Sequence, residues 1–539
     1  MSLDPLAERS KIACISCRQR KRKCDGEMPC TYCVKNAHEC EYEKIRKKRK
    51  QQYRHRLQSR EEIPPGDEPR DGSSQLQLLE ANSPAVFVRR LGLKINPAMA
   101  PRFSCYAWNL GLKQINCLPQ ASCITDILSL AQMDEIVTDY FNHIAPAYNF
   151  LDRDYVEKAI VKRWRLGLAG DSTDSMLCGL AALGCLFGGR PSALETQLVQ
   201  SARSALEQSS SLPSPEIDHV IGWIMRVIYL RATGSPEATW MACCTLMHMI
   251  ETTKLHLEPS EDWILAQPGS PCSPDLRRRV YWIAQLFNTW VSLDCGKSQV
   301  ELRGSSSKLP GGSWTKDQQE LCYLFCCLGK RFEIDQSEID AELRELCALN
   351  PVHPMLQLLQ CNIGLCFFRR SRALGQVMSD DSLALILGLA KNSLLVVKLL
   401  IETNSPWWHV INIPFQIVCV ILVSDTDQAL ELLPSALTLL KKLADNYQTG
   451  MCSESYEIAQ FLVSQERQKR LKKIKYLTDT LVDEIDETTI NTKSGWVDSL
   501  GPTERVGNMP STGALPDVDF DTSLADYLLL ENLFHGISA

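Results

Sequence analysis

Unbroken apolar runs are scarce in this chain. The most apolar window, 407–423 ("WWHVINIPFQIVCVILV"), is interrupted by His409, Asn412, Pro414 and Gln416. A membrane span needs about 20 nearly uninterrupted apolar residues, so this window reads as a buried helix after a turn. The opening "MSLDPLAERSK" has no apolar core of the kind a secretory leader carries, and a soluble intracellular protein is expected. Catalytic signatures are missing too. Neither H-E-x-x-H nor G-x-S-x-G occurs, and "GKS" at 296–298 has Val291 where a phosphate-binding loop requires glycine. No enzyme is expected. Strand signals are few, and between 41 and 100 no three consecutive heptads carry apolar a and d positions; the apolar residues of "LQLLEANSPAVFVRRLGL" (76–93) are interrupted by Pro84.

What the chain does have is an uneven charge. Its net charge is −6, yet residues 1–60 hold 17 Lys/Arg against 7 Asp/Glu, and the remaining 479 hold 41 against 57. A basic head on an acidic body points to a polyanionic partner for the head. At 539 residues the chain exceeds what one core supports, so several domains are expected.

It also has 23 cysteines, and six of them form a pattern. Cys14, Cys17, Cys24, Cys30, Cys33 and Cys40 spell C-x2-C-x6-C twice, each of the first three recurring 16 residues later. The C-x2-C step brings two thiolates to one metal, and a closed zinc site takes four ligands. Two zincs need eight bonds from six sulfurs, which closes if two thiolates bridge. The repeat makes the bridging pair equivalent, and the first cysteine of each half, Cys14 and Cys30, is the natural choice. One zinc then takes Cys14, Cys17, Cys24 and Cys30; the other takes Cys30, Cys33, Cys40 and Cys14. His38 would break the repeat that Cys40 completes, so it is not assigned as a ligand. Six thiolates on two Zn²⁺ leave a charge near −2 that neighbouring Lys and Arg can offset.

Between Cys17 and Cys24 lie Arg18, Gln19, Arg20, Lys21, Arg22 and Lys23, whereas the matching segment "VKNAHE" (34–39) has one Lys and one Glu. The two halves bind metal alike and differ in their exposed faces, so the first is expected to face DNA. Arg, Lys and Gln have good helix propensity, and a short helix is expected after Cys17. Its side chains would fan out so that some reach base edges and others reach phosphates. The run "KIRKKRKQQYRHR" (44–56) suits nuclear import and phosphate contact.

The stretch "ACISCRQRKRKCDGEMPCTYCVKNAHEC" (13–40) resembles the zinc binuclear cluster DNA-binding domain of fungal transcription regulators. The resemblance implies two Zn²⁺ ions, the bridging arrangement reached above, and recognition of CGG-type half-sites in double-stranded DNA. It places base contacts on Arg20 and Lys21, leaving Arg18, Arg22 and Lys23 for phosphates.

Four regions are expected: a zinc cluster domain (10–43), a basic segment and flexible linker (44–75), an all-helical domain (124–480) and a disordered acidic tail (483–539). The fold class is mostly α. In the middle, "GSPEATWMACCTLMHMIETTKLHLE" (234–258) sets Trp240, Cys244, Met247 and Ile250 near one face. "LRRRVYWIAQLFNTWVSLDCGKSQV" (276–300) does the same for Val280, Ile283, Phe287, Trp290 and Val291. Together these look like the regulatory domain that accompanies the fungal cluster. Cys243, Cys244, Cys322, Cys326 and Cys327 lie in apolar helical stretches and are expected in the core. The end, "LPDVDFDTSLADYLLLENLF" (515–534), has five acids, no Lys or Arg, and interleaved apolar residues. That composition suits an activation segment recruiting transcription machinery or coactivators. The resulting expectation is a nuclear, sequence-specific activator of RNA polymerase II genes, with homodimerisation open. The alternatives are a repressor, or a zinc-stabilised scaffold that binds nucleic acid without sequence preference.

Overall fold

Serine, histidine and proline set where the long helices begin. Ser235, Ser273 and Ser379 accept backbone N–H bonds from Ala238, Leu276 and Ser382, and His353 accepts one from Met355. At three of these starts proline follows at the first helical position, where its missing N–H costs nothing (Pro236, Pro274, Pro354). The computed structural model describes residues 14–20, 22, 24–25, 27–36, 38, 40, 83–100, 107–113, 119–167, 171–209, 215–259, 272–312, 314–330 and 336–489. Among the described residues there is no strand. The linker 44–75 and the tail from 490 onward lie outside them.

The N-terminal region carries α1 (Ile15–Gln19) and α2 (Thr31–Lys35). The body opens with α3 (Pro84–Ile95), α4 (Ile124–Ile127), α5 (Leu130–His143), α6 (Ala145–Tyr148) and α7 (Arg153–Leu166). It continues with α8 (Asp171–Phe187), α9 (Ser192–Ser209), α10 (Ile217–Thr233), α11 (Pro236–Thr252) and α12 (Pro274–Cys295). Then follow α13 (Lys316–Lys330), α14 (Gln336–Ala348), α15 (Pro354–Ala373), α16 (Asp380–Glu402) and α17 (His409–Ser424). The last are α18 (Asp427–Leu430), α19 (Leu433–Tyr447) and α20 (Gly450–Thr489).

Neighbours in sequence are mostly neighbours in space. Helix α8 packs on α5, α9 and α10; α11 packs on α12; α17 sits among α15, α16, α19 and α20. Gly184 permits the closest crossing, because a Cβ there would stand 2.5 Å from the Ile136 carbonyl oxygen. The apolar window read from the sequence is α17, which is buried along most of its length and contains Pro414. Helix α16 is long and apolar enough to cross a membrane by length and composition; Ile386, Leu387, Ala390, Val397 and Ile401 are buried in the body.

Residues before 124, outside the helical domain expected from sequence, share the same core. Val88 and Leu91 of α3 join it, as do Trp108 and Leu110. Pro84 does not interrupt this segment; it stands at the first position of α3. The preceding Ser83 hydroxyl donates to the Asp294 carbonyl at 2.9 Å.

The centre of the body is polar as well as aromatic. Arg231 is ion-paired to Asp294 at 2.9 Å, with both side chains buried. Its guanidinium lies 3.7 Å from the Trp108 ring centroid and 5.0 Å from that of Trp408, and it donates to the Trp108 carbonyl. Arg369, also buried, donates to Gln416, whose amide donates in turn to Asn412.

Candidate metal centre and nucleic-acid interface

Among its described residues the N-terminal region buries no aliphatic side chain. Its buried cluster, among the described residues, is Cys14, Cys17, Cys24, Cys30 and Cys33, with Tyr32 and Cys40 packed against it. Two groups of four sulfurs form, one of Cys14, Cys17, Cys24 and Cys30, the other of Cys14, Cys30, Cys33 and Cys40. Within each group all sulfurs lie within 4.8 Å of one another. Cys14 and Cys30 belong to both. The separations are 3.8 Å for Cys14–Cys30, 3.7 Å for Cys14–Cys33 and 3.6 Å for Cys17–Cys30. Sulfurs arranged tetrahedrally about 2.3 Å from a zinc stand roughly 3.8 Å apart. The donor set therefore fits two zinc ions in both number and spacing.

Each half is a copy of the other, shifted by the sequence repeat. The Cys17 N–H donates to Cys14 Sγ and the Cys33 N–H to Cys30 Sγ, both at 3.4 Å. Arg20 N–H to Ser16 O matches Asn36 N–H to Tyr32 O, and Arg22 N–H to Cys17 O matches His38 N–H to Cys33 O. These N–H···S bonds favour the thiolate. The bond from Cys17 holds the Cys14 thiol below its ordinary range. At Cys30 burial pushes the thiol up, but hydrogen bonds led by the Cys33 N–H outweigh it. Cys17, by contrast, is pushed up by burial.

The helix expected after Cys17 is earlier and shorter: α1 contains Cys17 and stops at Gln19. The reason is metric. A helix continued from Cys17 to Cys24 would carry Cys24 about 10 Å along its axis, too far for a shared zinc. The chain instead turns at Arg20 and returns to deliver Cys24. Arg18 falls within α1, while Arg20 and Arg22 follow it with exposed side chains; Lys21 and Lys23 lie outside the described residues. In the second half the corresponding exposed residues are Val34, Lys35 and Asn36. His38 belongs to neither sulfur group and its ring lies 6.4 Å from that of Tyr32.

One contributor escaped the sequence reading. Asp25 accepts hydrogen bonds from the Thr31 hydroxyl and, at 2.8 Å, from the Thr31 N–H. These bonds hold its carboxyl below the usual carboxylate range and tie the loop between halves to the start of α2. The only sequence signal was an acid just after one ligand and a hydroxyl just after the next.

In the body, "GKS" serves the fold. Gly296 ends α12 in the left-handed region (φ 63°). The Lys297 ammonium lies 4.6 Å from the Trp240 ring centroid, and the Ser298 carbonyl accepts the Trp240 indole N–H at 3.1 Å. The three arginines of α12 pin two segments, the stretch after α11 and the start of α7. Arg277 donates to the Lys254 carbonyl at 3.0 Å, Arg278 pairs with Glu258 at 2.7 Å, and Arg279 pairs with Asp152 at 2.6 Å. On α11 Cys243, Met247 and Ile250 are buried as expected, whereas Cys244 is only half-buried, beside the also half-buried Trp240. Cys322 and Cys326 are buried as expected; the Cys327 side chain lies outside the description.

Residues 12–49 match the fungal Zn(2)-Cys(6) binuclear cluster domain, and residues 137–327 match the fungal specific transcription factor domain. Protein RDR1 of Gibberella zeae is 34% identical over 481 residues, covering 86% of this chain and 88% of that protein. Transcription factor kojR of Aspergillus oryzae is 34% identical over 488 residues, covering 88% of this chain and 87% of that protein. A Schizosaccharomyces pombe protein named "Probable transcriptional repressor C1348.12" is 27% identical over 272 residues, covering 47% of this chain and 63% of that protein.

Proposed function

Since the chain belongs to the fungal zinc binuclear cluster transcription factors, whose cluster domain binds two zinc ions, we propose that it reads CGG-type half-sites in nuclear DNA and activates RNA polymerase II genes. The observation that carries the reading is the exposed Arg20 and Arg22 immediately after α1, on the one half of the cluster whose connecting loop is basic. Cys14 and Cys30 would be shared between the two zincs, with Cys17 and Cys24 completing one site and Cys33 and Cys40 the other. Zinc held by these six cysteines would cross-link a stretch of chain too short to fold by burial. Arg20 and Lys21 reach base edges, where an arginine can take guanine O6 and N7 together. Arg18, Arg22 and Lys23 contact phosphates. The segment 483–539 engages coactivators or the transcription machinery.

Selection from random duplexes with the full chain tests this assignment. Enrichment of CGG-containing sequences is expected, and a scaffold without sequence preference would enrich none. Lys21→Ala should relax the preference at one position by about 1–3 kcal/mol. Lys23→Ala should weaken all sequences alike and reduce the salt slope by about one unit. Equal loss of preference in both variants overturns the division of roles.

The name of the fission-yeast relative favours a second reading, a repressor with the same DNA-binding head. Fusing residues 500–539 to an unrelated DNA-binding domain separates the two: reporter gain supports the activator, and no gain supports the repressor.

A further inference from the structure

Helix α20 is rooted in the body and then leaves it. Cys452, Ile458, Ala459 and Leu462 are buried. At the point of exit Glu466 pairs with Lys469 and Arg470, and Arg470 also pairs with Asp425, the residue that caps α17. These pairs fix the direction in which the helix projects. From Leu471 to Thr480 every residue is exposed.

The projecting stretch is strongly basic. Residues 467–475, "RQKRLKKIK", hold six Lys/Arg and no acid. Residues 61–539 hold 41 Lys/Arg against 57 Asp/Glu; six of the 41 lie here, which leaves 35 against 57 elsewhere. No other window of the same length in that span carries as many cations. Lys472, Lys473 and Lys475 make no ion pair among the described residues. At about 100° per residue, Lys475, Lys472, Lys469 and Lys473 fall within an arc of roughly 160°. Leu471, Ile474 and Leu477 fall on the opposite side. The helix therefore presents a face of lysines alone.

Unpaired like charges this close repel one another, and a polyanion relieves the repulsion. Lys469 to Lys475 covers about 9 Å of helix axis, a length over which one DNA strand presents about three phosphates. The zinc cluster brings such a strand near. Cys40 and Ser83 are 43 positions apart, so a duplex held by the cluster stays within about 150 Å of Ser83. A contact from α20 is then intramolecular, and the acidic remainder of the body, which repels phosphate, directs the duplex toward this helix. The run is helical throughout, which favours DNA over an import receptor that takes a basic segment as extended chain. We infer that Lys469, Lys472, Lys473 and Lys475 of α20 form a second nucleic-acid contact, on the phosphate backbone flanking the site read by the zinc cluster. The inference rests on the DNA-binding reading above. Asp479 falls in the same arc, one turn beyond Lys475, and opposes phosphate. The helix therefore crosses the backbone instead of lying along it.

Fluorescence anisotropy tests this, with the zinc-loaded full chain on two CGG-containing duplexes, one ending at the half-sites and one extended by long flanks. The wild-type chain should bind the extended duplex more tightly, with a salt slope steeper by about two to three units. Lys472→Gln with Lys473→Gln and Lys475→Gln, a change that keeps helix propensity, should remove the extra slope. It should weaken binding to the extended duplex about tenfold at low salt and leave the short duplex and thermal unfolding of the body unchanged. Asp479→Asn should act in the opposite direction, tightening the extended duplex alone. Equal slopes for the wild type and the glutamine variant on the extended duplex would overturn the inference. Equal slopes together with nuclear exclusion of that variant in cells would overturn it in favour of an import receptor. A wild-type chain without CGG preference would overturn the specific reading instead, and the two failures are distinct because the first leaves that preference intact.

Discussion

His409 stands between two indoles, with its ring centroid 4.8 Å from that of Trp290 and 4.9 Å from that of Trp408. Burial holds its imidazole well below the usual histidine range, and the charge of Arg231 pushes the same way. The unfolded chain takes this proton near pH 6.5. The folded pKa is therefore depressed, and the stability that depends on a neutral His409 is complete above about pH 6.5 and lost as the pH falls below it. The loss approaches about 1.4 kcal/mol per pH unit for this one proton. Urea unfolding of the full chain between about pH 7.5 and 5.5 should show the slope, and His409→Phe, which keeps an aromatic ring between the indoles, should lower it by one proton. His353, also lowered by burial, retains its own share in both proteins. An unchanged slope in the variant would remove His409 as the source. None of this was legible in the sequence. Arg231 and Asp294, 63 positions apart, carry no local mark of pairing. The six cysteines were legible because tetrahedral zinc chemistry restricts their spacing far more tightly than packing restricts a charged pair.

At the scale of elements, the sequence reading held where local chemistry decides and slipped where tertiary geometry does. The 16-residue repeat is also the repeat of α1 and α2, because each half solves the same problem with the same ligand spacing. The length of α1 was misread. Propensity favours carrying a helix through "RQRKRK", and the need to return Cys24 to the cluster overrides it. Pro84 looked like a breaker because the body was expected to begin at 124. Once α3 packs on α12, α17 and α20, the same proline is a good first residue. On α11 both Cys243 and Cys244 were expected in the core, and the packing takes Cys243, whose thiol lies 3.8 Å from the Phe287 carbonyl, leaving Cys244 half-buried. Periodicity gives a stripe, and only the partner helix says where its centre lies.

For the whole molecule, the two regions are stable for different reasons. The body buries one continuous apolar core from Val88 to Leu462. The head buries cysteines, and a region this small cannot fold on burial alone. Its folding free energy is the binding free energy of zinc, on the order of 10 kcal/mol or more for structural sites at neutral pH. The charge asymmetry follows the same division. Residues 1–60 carry a large excess of Lys and Arg, while the rest, with 41 Lys/Arg against 57 Asp/Glu, is repelled by phosphate. Affinity for DNA should therefore depend on zinc, while the body should not. A strong zinc chelator added to the full chain should abolish binding to a CGG-containing duplex and leave the main calorimetric unfolding transition within about 2 °C of its original position, a shift that corresponds to about 1–2 kcal/mol for a domain this large. Readdition of zinc should restore binding in proportion to metal, saturating at two ions per chain. A large shift of the main transition would mean that the head contributes to the stability of the body, and saturation at one ion would mean that Cys14 and Cys30 do not bridge.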